Sequence, residues 1–112
     1  MYEYRAEVTE VYDGDTITVN VDLGFRSGLR GLKIRLYGID TPELRGETRD
    51  EGLRARDWLR ERILGKQVLL RTYKDKTGKY GRWLAEVFPD GDWSKSLNAM
   101  LVEEGLAVEA FY

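Results

Sequence analysis

Over residues 4–11 the apolar positions Tyr4, Ala6 and Val8 alternate with Arg5, Glu7 and Thr9, and the phase slips near Glu10. Alternation at period two predicts a half-buried strand, and a slip of one residue predicts a bulge within it. Asp13-Gly14 follows as a tight-turn signal, and Ile17, Val19, Val21 and Leu23 then alternate strictly with Thr16, Thr18, Asn20 and Asp22. The two segments therefore read as a hairpin. Residues 24–31 contain three glycines and two arginines without a period, which reads as a loop before a third strand over 32–39.

The period then changes. Thr48 and Glu51 have the spacing of a capping box, and Ala55, Leu59 and Ile63 form an apolar stripe flanked by Trp58 and opposed by Arg54, Asp57 and Glu61. This predicts a helix that packs on a sheet by one face and ends at Gly65. Residues 66–73 carry Val68-Leu69-Leu70, too short for another helix, and predict a fourth strand; residues 74–81 read as a loop and 82–88 as a fifth strand. After the turn at 89–92, Trp93, Leu97, Met100 and Leu101 predict a second amphipathic helix closed by Gly105. Five strands, with one helix between the third and fourth and another after the fifth, match the order of an OB-type Greek-key β-barrel, an α+β fold; a mixed α+β sandwich is the alternative.

Length and composition narrow the chemistry. At 112 residues, with no linker or repeat, the chain reads as one domain spanning 1–112. Lys+Arg number 18 against 20 Asp+Glu, a net charge of −2, so any anion-binding surface must be local. There is no cysteine and no histidine, which excludes disulfides, Cys/His zinc sites and every catalytic scheme that needs an imidazole. Carboxylates, Arg, Lys, Tyr and a hard metal remain. No apolar run approaches a membrane span, and the first residues do not open a signal peptide, so the chain as given is expected to be soluble, cytoplasmic if no leader has been trimmed from it, and a monomer.

Two segments concentrate charge. Asp13-Gly14-Asp15 lies about twenty residues before Arg35-Leu36-Tyr37-Gly38-Ile39-Asp40-Thr41-Pro42-Glu43. Arg35 and Tyr37 alternate with Ile34 and Leu36 and so face away from them, while Pro42 stiffens the turn that carries Asp40 and Glu43. Asp15, Asp40 and the Thr41 carbonyl offer the hard oxygens that calcium accepts. Phosphodiester hydrolysis needs an activated water, a Lewis acid and donors to the phosphorus oxygens. Glu43 suits the water, and Arg35 and Arg82 suit the donors. The same residues also read as a bare hairpin turn, a strand end and solvated surface charges. Lys79 and Tyr80, with Lys74 and Lys76, form a local basic patch with a ring able to stack on a base, or simply a solvated loop. The helix arginines Arg54, Arg56, Arg60 and Arg62 are interleaved with Asp57 and Glu61 and read as a salt-laced exposed face.

Taken jointly, Asp13-Gly14-Asp15-Thr16, Arg35 to Glu43, Lys79-Tyr80-Gly81-Arg82 and Glu104-Gly105-Leu106-Ala107 resemble the motifs of the staphylococcal-type thermonuclease (micrococcal nuclease) family, over nearly the whole chain. The resemblance implies a five-stranded OB-fold barrel with two or three helices. It implies a calcium (Ca2+) site at Asp15, Asp40 and Thr41, and Arg35, Glu43 and Arg82 as the catalytic set. It also implies contacts to the nucleotide from Lys79 and Tyr80, and cleavage of single-stranded or frayed DNA and RNA leaving 3′-phosphates. Where the family commonly places a pocket tyrosine, Phe111 falls, with Tyr112 next, and the chain stops where the family usually has a third helix. A noncatalytic nuclease-like OB module that binds nucleic acid or peptide is the competing expectation; such modules usually lose the carboxylates and arginines that this chain keeps.

Overall fold

The computed structural model describes residues 2–73 and 83–111. The loop expected at 74–81, with Lys79, Tyr80 and Arg82, and the terminal Tyr112 lie outside the described residues.

Strands β1 (Tyr2–Asp13), β2 (Thr16–Gly24), β3 (Ser27–Leu36), β5 (Gln67–Tyr73) and β6 (Trp83–Pro89) form a closed barrel in the order β1-β2-β3-β6-β5, with β1 pairing β5. Only β3 and β6 run parallel; the other pairs are antiparallel. This is the five-stranded OB architecture expected from the element order. Val8 faces Val19, and Glu10 faces Thr18, leaving Thr9 extra; the phase slip near Glu10 is a bulge, which bends the strand around the barrel. Alternation fills the interior with Val8, Val11, Ile17, Val19, Ile34, Leu36, Leu70 and Val87, all buried.

Helix α1 (Arg49–Ile63) lies between the barrel strands in sequence and buries Ala55, Leu59 and Ile63, with Gly52 added to the expected stripe. The Arg60 Nε donates to the Val11 carbonyl at 3.1 Å and ties the helix to β1. Its start differs in detail from the capping box. A 3-10 turn, Gly46–Thr48, precedes it, and the Thr48 hydroxyl donates backward to the carbonyls of Glu43 (3.0 Å) and Arg45 (3.3 Å) instead of capping forward.

Three other expectations are corrected. The supposed loop at 24–31 is mostly strand: the turn is only Phe25-Arg26, and β3 begins at Ser27. The glycines there serve close approach and a bulge. A Cβ on Gly28 would lie 2.6 Å from the Val21 carbonyl oxygen, and Gly31, at φ 68°, donates its N–H to the Asn20 side chain at 3.0 Å. The third strand stops at Leu36, because Gly38 at φ 77° turns the chain; Ile39–Asp40 (β4) instead pairs with Val108–Glu109 (β7). The second helix, α2 (Leu97–Glu103), starts at the Ser96 cap, whose hydroxyl accepts the Ala99 N–H at 3.0 Å. Trp93 stays outside it and packs on Phe88 at 4.9 Å between ring centroids, with the Arg71 guanidinium over both rings.

Candidate active site

The two charged segments meet where β2 leaves the Asp13-Gly14-Asp15 turn beside the end of β3. Thr16 pairs with Arg35, and the Leu36 N–H donates to the Asp15 carbonyl at 2.8 Å. The turn closes on itself as the Asp15 N–H donates to the Asp13 carboxylate at 3.0 Å, the local bond that makes Asp a turn residue. Gly14 is buried under Thr41 and Ala55: a Cβ there would lie 2.7 Å from the Thr41 Cγ2 and 2.8 Å from the Ala55 Cβ. Gly14→Ala is therefore expected to cost about 1–3 kcal/mol by overpacking and to push Asp15 away from Thr41. Thermal unfolding followed by circular dichroism measures the loss; an unchanged Tm would show that the turn yields freely.

One guanidinium holds both carboxylates. Arg35 Nη1 lies 3.1 Å from Asp15 Oδ2, while Nη2 donates to Asp40 Oδ1 and, at 3.3 Å, to the Ile39 carbonyl. Asp15 Oδ2 also accepts the Thr41 N–H at 3.1 Å, and its other oxygen accepts the Thr16 hydroxyl at 3.2 Å. Burial on its own lifts the Asp15 pKa, but the hydrogen bond with Asp13, the Arg35 charge and the Thr41 N–H outweigh it and hold the carboxyl below the usual range. Asp13 behaves oppositely: burial, then the hydrogen bond and charge of Asp15, push it up to about 6. Burial opposes the Arg35 charge, yet Asp15 and Asp40 more than offset it and raise the guanidinium above its ordinary value.

The donor set fits a hard divalent cation in chemistry. Asp15 and Asp40 sit on the two ends of one guanidinium and outnumber its charge, and the Thr41 N–H meets Asp15. Among the described residues no group of three or more Asp or Glu is placed to hold a metal ion, so a hard divalent cation here would draw on the Asp15 and Asp40 carboxylates and on water.

The Glu43 carboxylate is not drawn into this network. It is exposed and lies 3.5 Å from the Arg45 Nε. Its backbone, by contrast, is fixed: the Thr48 hydroxyl donates to its carbonyl, and a Cβ on Gly52 would come within 2.7 Å of the Pro42 and Glu43 carbonyl oxygens. Gly52 and Gly14 thus set the distance between α1 and the carboxylate-bearing turns. Neither role has a sequence signal, because each depends on a neighbour distant in the chain.

Phe111 lands on an aromatic ledge just past the end of β3. Its ring meets Tyr37 edge-on at 5.7 Å, and Tyr37 stacks on Tyr73 at 4.2 Å. A Cβ on Gly38 would lie 2.7 Å from the Phe111 ring, so this glycine makes room for it. Tyr37, Gly38, Asn98 and Phe111 line a groove of about 370 Å3. Tyr37 was legible as a residue facing the same way as Arg35; Tyr73 was not, since it comes from a different strand. Burial, together with the Glu86 carboxylate that accepts its hydroxyl, pushes the Tyr73 phenol up to about 12. Because the folded value lies above the ordinary one near 10, this contribution to stability is present below pH 10 and lost as pH rises through about 12. A difference absorbance titration of the protein against Tyr73→Phe is expected to show one phenol ionising late, and Glu86→Gln to bring it earlier.

A family described as staphylococcal nuclease homologue matches residues 33–112. A protein named ParB from Escherichia coli is 35% identical over 111 residues, covering 94% of this chain and 56% of that protein. A thermonuclease from Staphylococcus hyicus is 34% identical over 113 residues, covering 98% and 62%. A micrococcal nuclease from Shigella flexneri is 32% identical over 111 residues, covering 94% and 58%. The chain thus spans less than two-thirds of the length of each of these relatives.

Proposed function

Since this chain belongs to the staphylococcal nuclease family, we propose that it is a calcium-dependent phosphodiesterase that hydrolyses DNA and RNA and leaves 3′-phosphates. It would act as one domain and as a monomer on single-stranded or frayed strands. The observation that carries the reading is the Arg35 guanidinium held between Asp15 and Asp40 at the open end of β3.

In this reading Asp15, Asp40 and the Thr41 carbonyl hold the ion, which when bound supplies Lewis acidity at the phosphate. Arg35 orients the phosphate and meets charge that develops on its oxygens. Its contacts to Asp15, Asp40 and Ile39 leave the Nε–H and one Nη1–H for that purpose among the described residues. Glu43 takes the proton of the attacking water or orients it. Its ion pair with Arg45 is exposed and therefore weak, so the carboxylate exchanges partners easily. A bond forms from the water oxygen to phosphorus and the bond to the 5′-oxygen breaks, giving a 3′-phosphate and a 5′-hydroxyl. Arg82 adds a second planar fork of donors, Lys79 and Tyr80 hold the neighbouring nucleotide, and Phe111 and Tyr112 take the place of the family's pocket tyrosine; Phe111 with Tyr37 offers an aromatic face at the groove.

The apolar interior of the barrel does not depend on the two carboxylates. A calcium chelator is therefore expected to abolish release of acid-soluble nucleotides from single-stranded DNA while leaving the far-UV circular dichroism unchanged. Undiminished cleavage in chelator would reject the metal assignment, and loss of the spectrum would show a structural ion instead.

A further inference from the structure

The turn between β2 and β3 is built in an unexpected way. Its two residues, Phe25 and Arg26, lie at φ 52° and 61°, a left-handed region that side chains other than glycine disfavour. Hairpin turns of this hand usually use Asn-Gly or Asp-Gly. Folding gains nothing from phenylalanine there, for Phe25 is wholly exposed and its neighbours Leu23 and Leu29 are about half exposed. A strained aromatic that buries nothing in its own chain points to a contact outside it.

Charge identifies the contact. β3 carries Arg30, Lys33 and Arg35 and no carboxylate, and Arg26 precedes it in the turn. Arg26, Arg30 and Lys33 make no ion pair among the described residues, whereas Arg56 and Arg62 of α1 do. Lys33 lies opposite Thr18 and Arg35 opposite Thr16, so both project from the outer face of the ribbon. Tyr12, Asp13, Thr16, Thr18 and Lys33 line one groove there, of about 720 Å3. Asn20, Asp22, Arg26 and Arg30 line the next, of about 560 Å3. The two follow β2 from the Asp13-Gly14-Asp15 turn toward the hairpin tip, roughly 20 Å at the rise of a strand. Their carboxylates, Glu7, Glu10, Asp13 and Asp22, belong to β1, the turn after it and β2, and leave β3 as the cationic side.

We propose that the β2–β3 hairpin is an accessory contact for single-stranded nucleic acid, in which Phe25 stacks on an unpaired base and Arg26, Arg30 and Lys33 meet phosphates of the strand engaged at Arg35. The placement of the strand at Arg35 rests on the nuclease reading; the contact at the tip does not.

Binding of a fluorescent single-stranded DNA of about 12 nucleotides, followed by anisotropy in chelator so that nothing is cut, tests it. Phe25→Gly is expected to weaken binding about fivefold or more through the lost stack. It should hold or raise Tm, because glycine tolerates the left-handed turn. Arg26→Ser and Arg30→Ser are each expected to reduce the salt slope by about one, and Arg62→Ser to leave it unchanged. Unchanged affinity in a folded Phe25→Gly protein overturns the proposal, as does an intact protein that does not bind the strand. Phosphatidylserine vesicles separate the other anionic surface: binding lost there and kept on the oligonucleotide would make the tip a lipid contact and end the proposal. A protein that binds through Phe25 but cuts nothing when calcium is added leaves the hairpin contact standing and rejects the nuclease reading.

Discussion

Replacing Glu43 with Gln, or Arg35 or Arg82 with Ala, is expected to lower calcium-dependent hydrolysis of single-stranded DNA by about 10²–10³-fold or more, the usual loss for one donor aimed at transition-state charge. The Glu43 and Arg35 variants should separate in stability. Glu43 is exposed and among the described residues pairs with Arg45, so its amide should leave Tm unchanged while hydrolysis collapses. Arg35→Ala removes the cation shared by Asp15 and Asp40. It should therefore lose stability as well as rate. Arg35→Lys keeps the charge but not the planar fork and should recover stability better than activity. Activity of the intact protein no greater than that of its Glu43→Gln form would dismiss the nuclease and leave a noncatalytic binding module. The assay is release of acid-soluble nucleotides, with oligonucleotide binding measured alongside and expected to fall far less.

Asn98→Ala is expected to be strongly destabilising. This buried side chain on α2 accepts the Val87 N–H at 3.0 Å and donates to the Tyr37 and Ala85 carbonyls at 2.8 and 3.1 Å. It thereby stitches the helix to β6 and to the end of β3, where the aromatic ledge begins. Alanine leaves a buried N–H and a carbonyl without partners, each costing about 1–3 kcal/mol. A loss of roughly 3 kcal/mol would lower Tm by about 10–20 °C for a chain of this size. Asn98→Asp keeps the acceptor but loses both donors and buries a charge, so it should fare no better. A shift of only a degree or two would mean that water enters and replaces the amide. Because Tyr37 and Phe111 share the groove with Asn98, oligonucleotide binding should weaken along with stability.

The sequence by itself determined the elements whose burial follows a local period. Alternation at Ile17, Val19 and Val21 decided which face of β2 enters the barrel, and the slip at Glu10 located the bulge. The spacing of Ala55, Leu59 and Ile63 decided which face of α1 packs. The same alternation turned Arg35 outward, and the Asp-Gly-Asp and Asp-Thr-Pro-Glu turns marked where carboxylates collect, because turn residues and carboxylates are local signals. What the tertiary structure alone decided depends on residues that meet across the chain. Thr41 reaches Asp15 over 26 residues and Asn98 reaches Tyr37 over 61; no period carries such distances, which exist only once the barrel closes. Gly14, Gly28 and Gly52 looked like loop or helix glycines, yet each is required by an atom that arrives from another element. Trp93 fitted the helical stripe of α2, but packing on Phe88 beneath Arg71 won over one more helical turn, because Ser96 already caps the helix. Two-residue β4 and β7 carry no pattern at all, and they pair only because Gly38 turns the chain back toward its end.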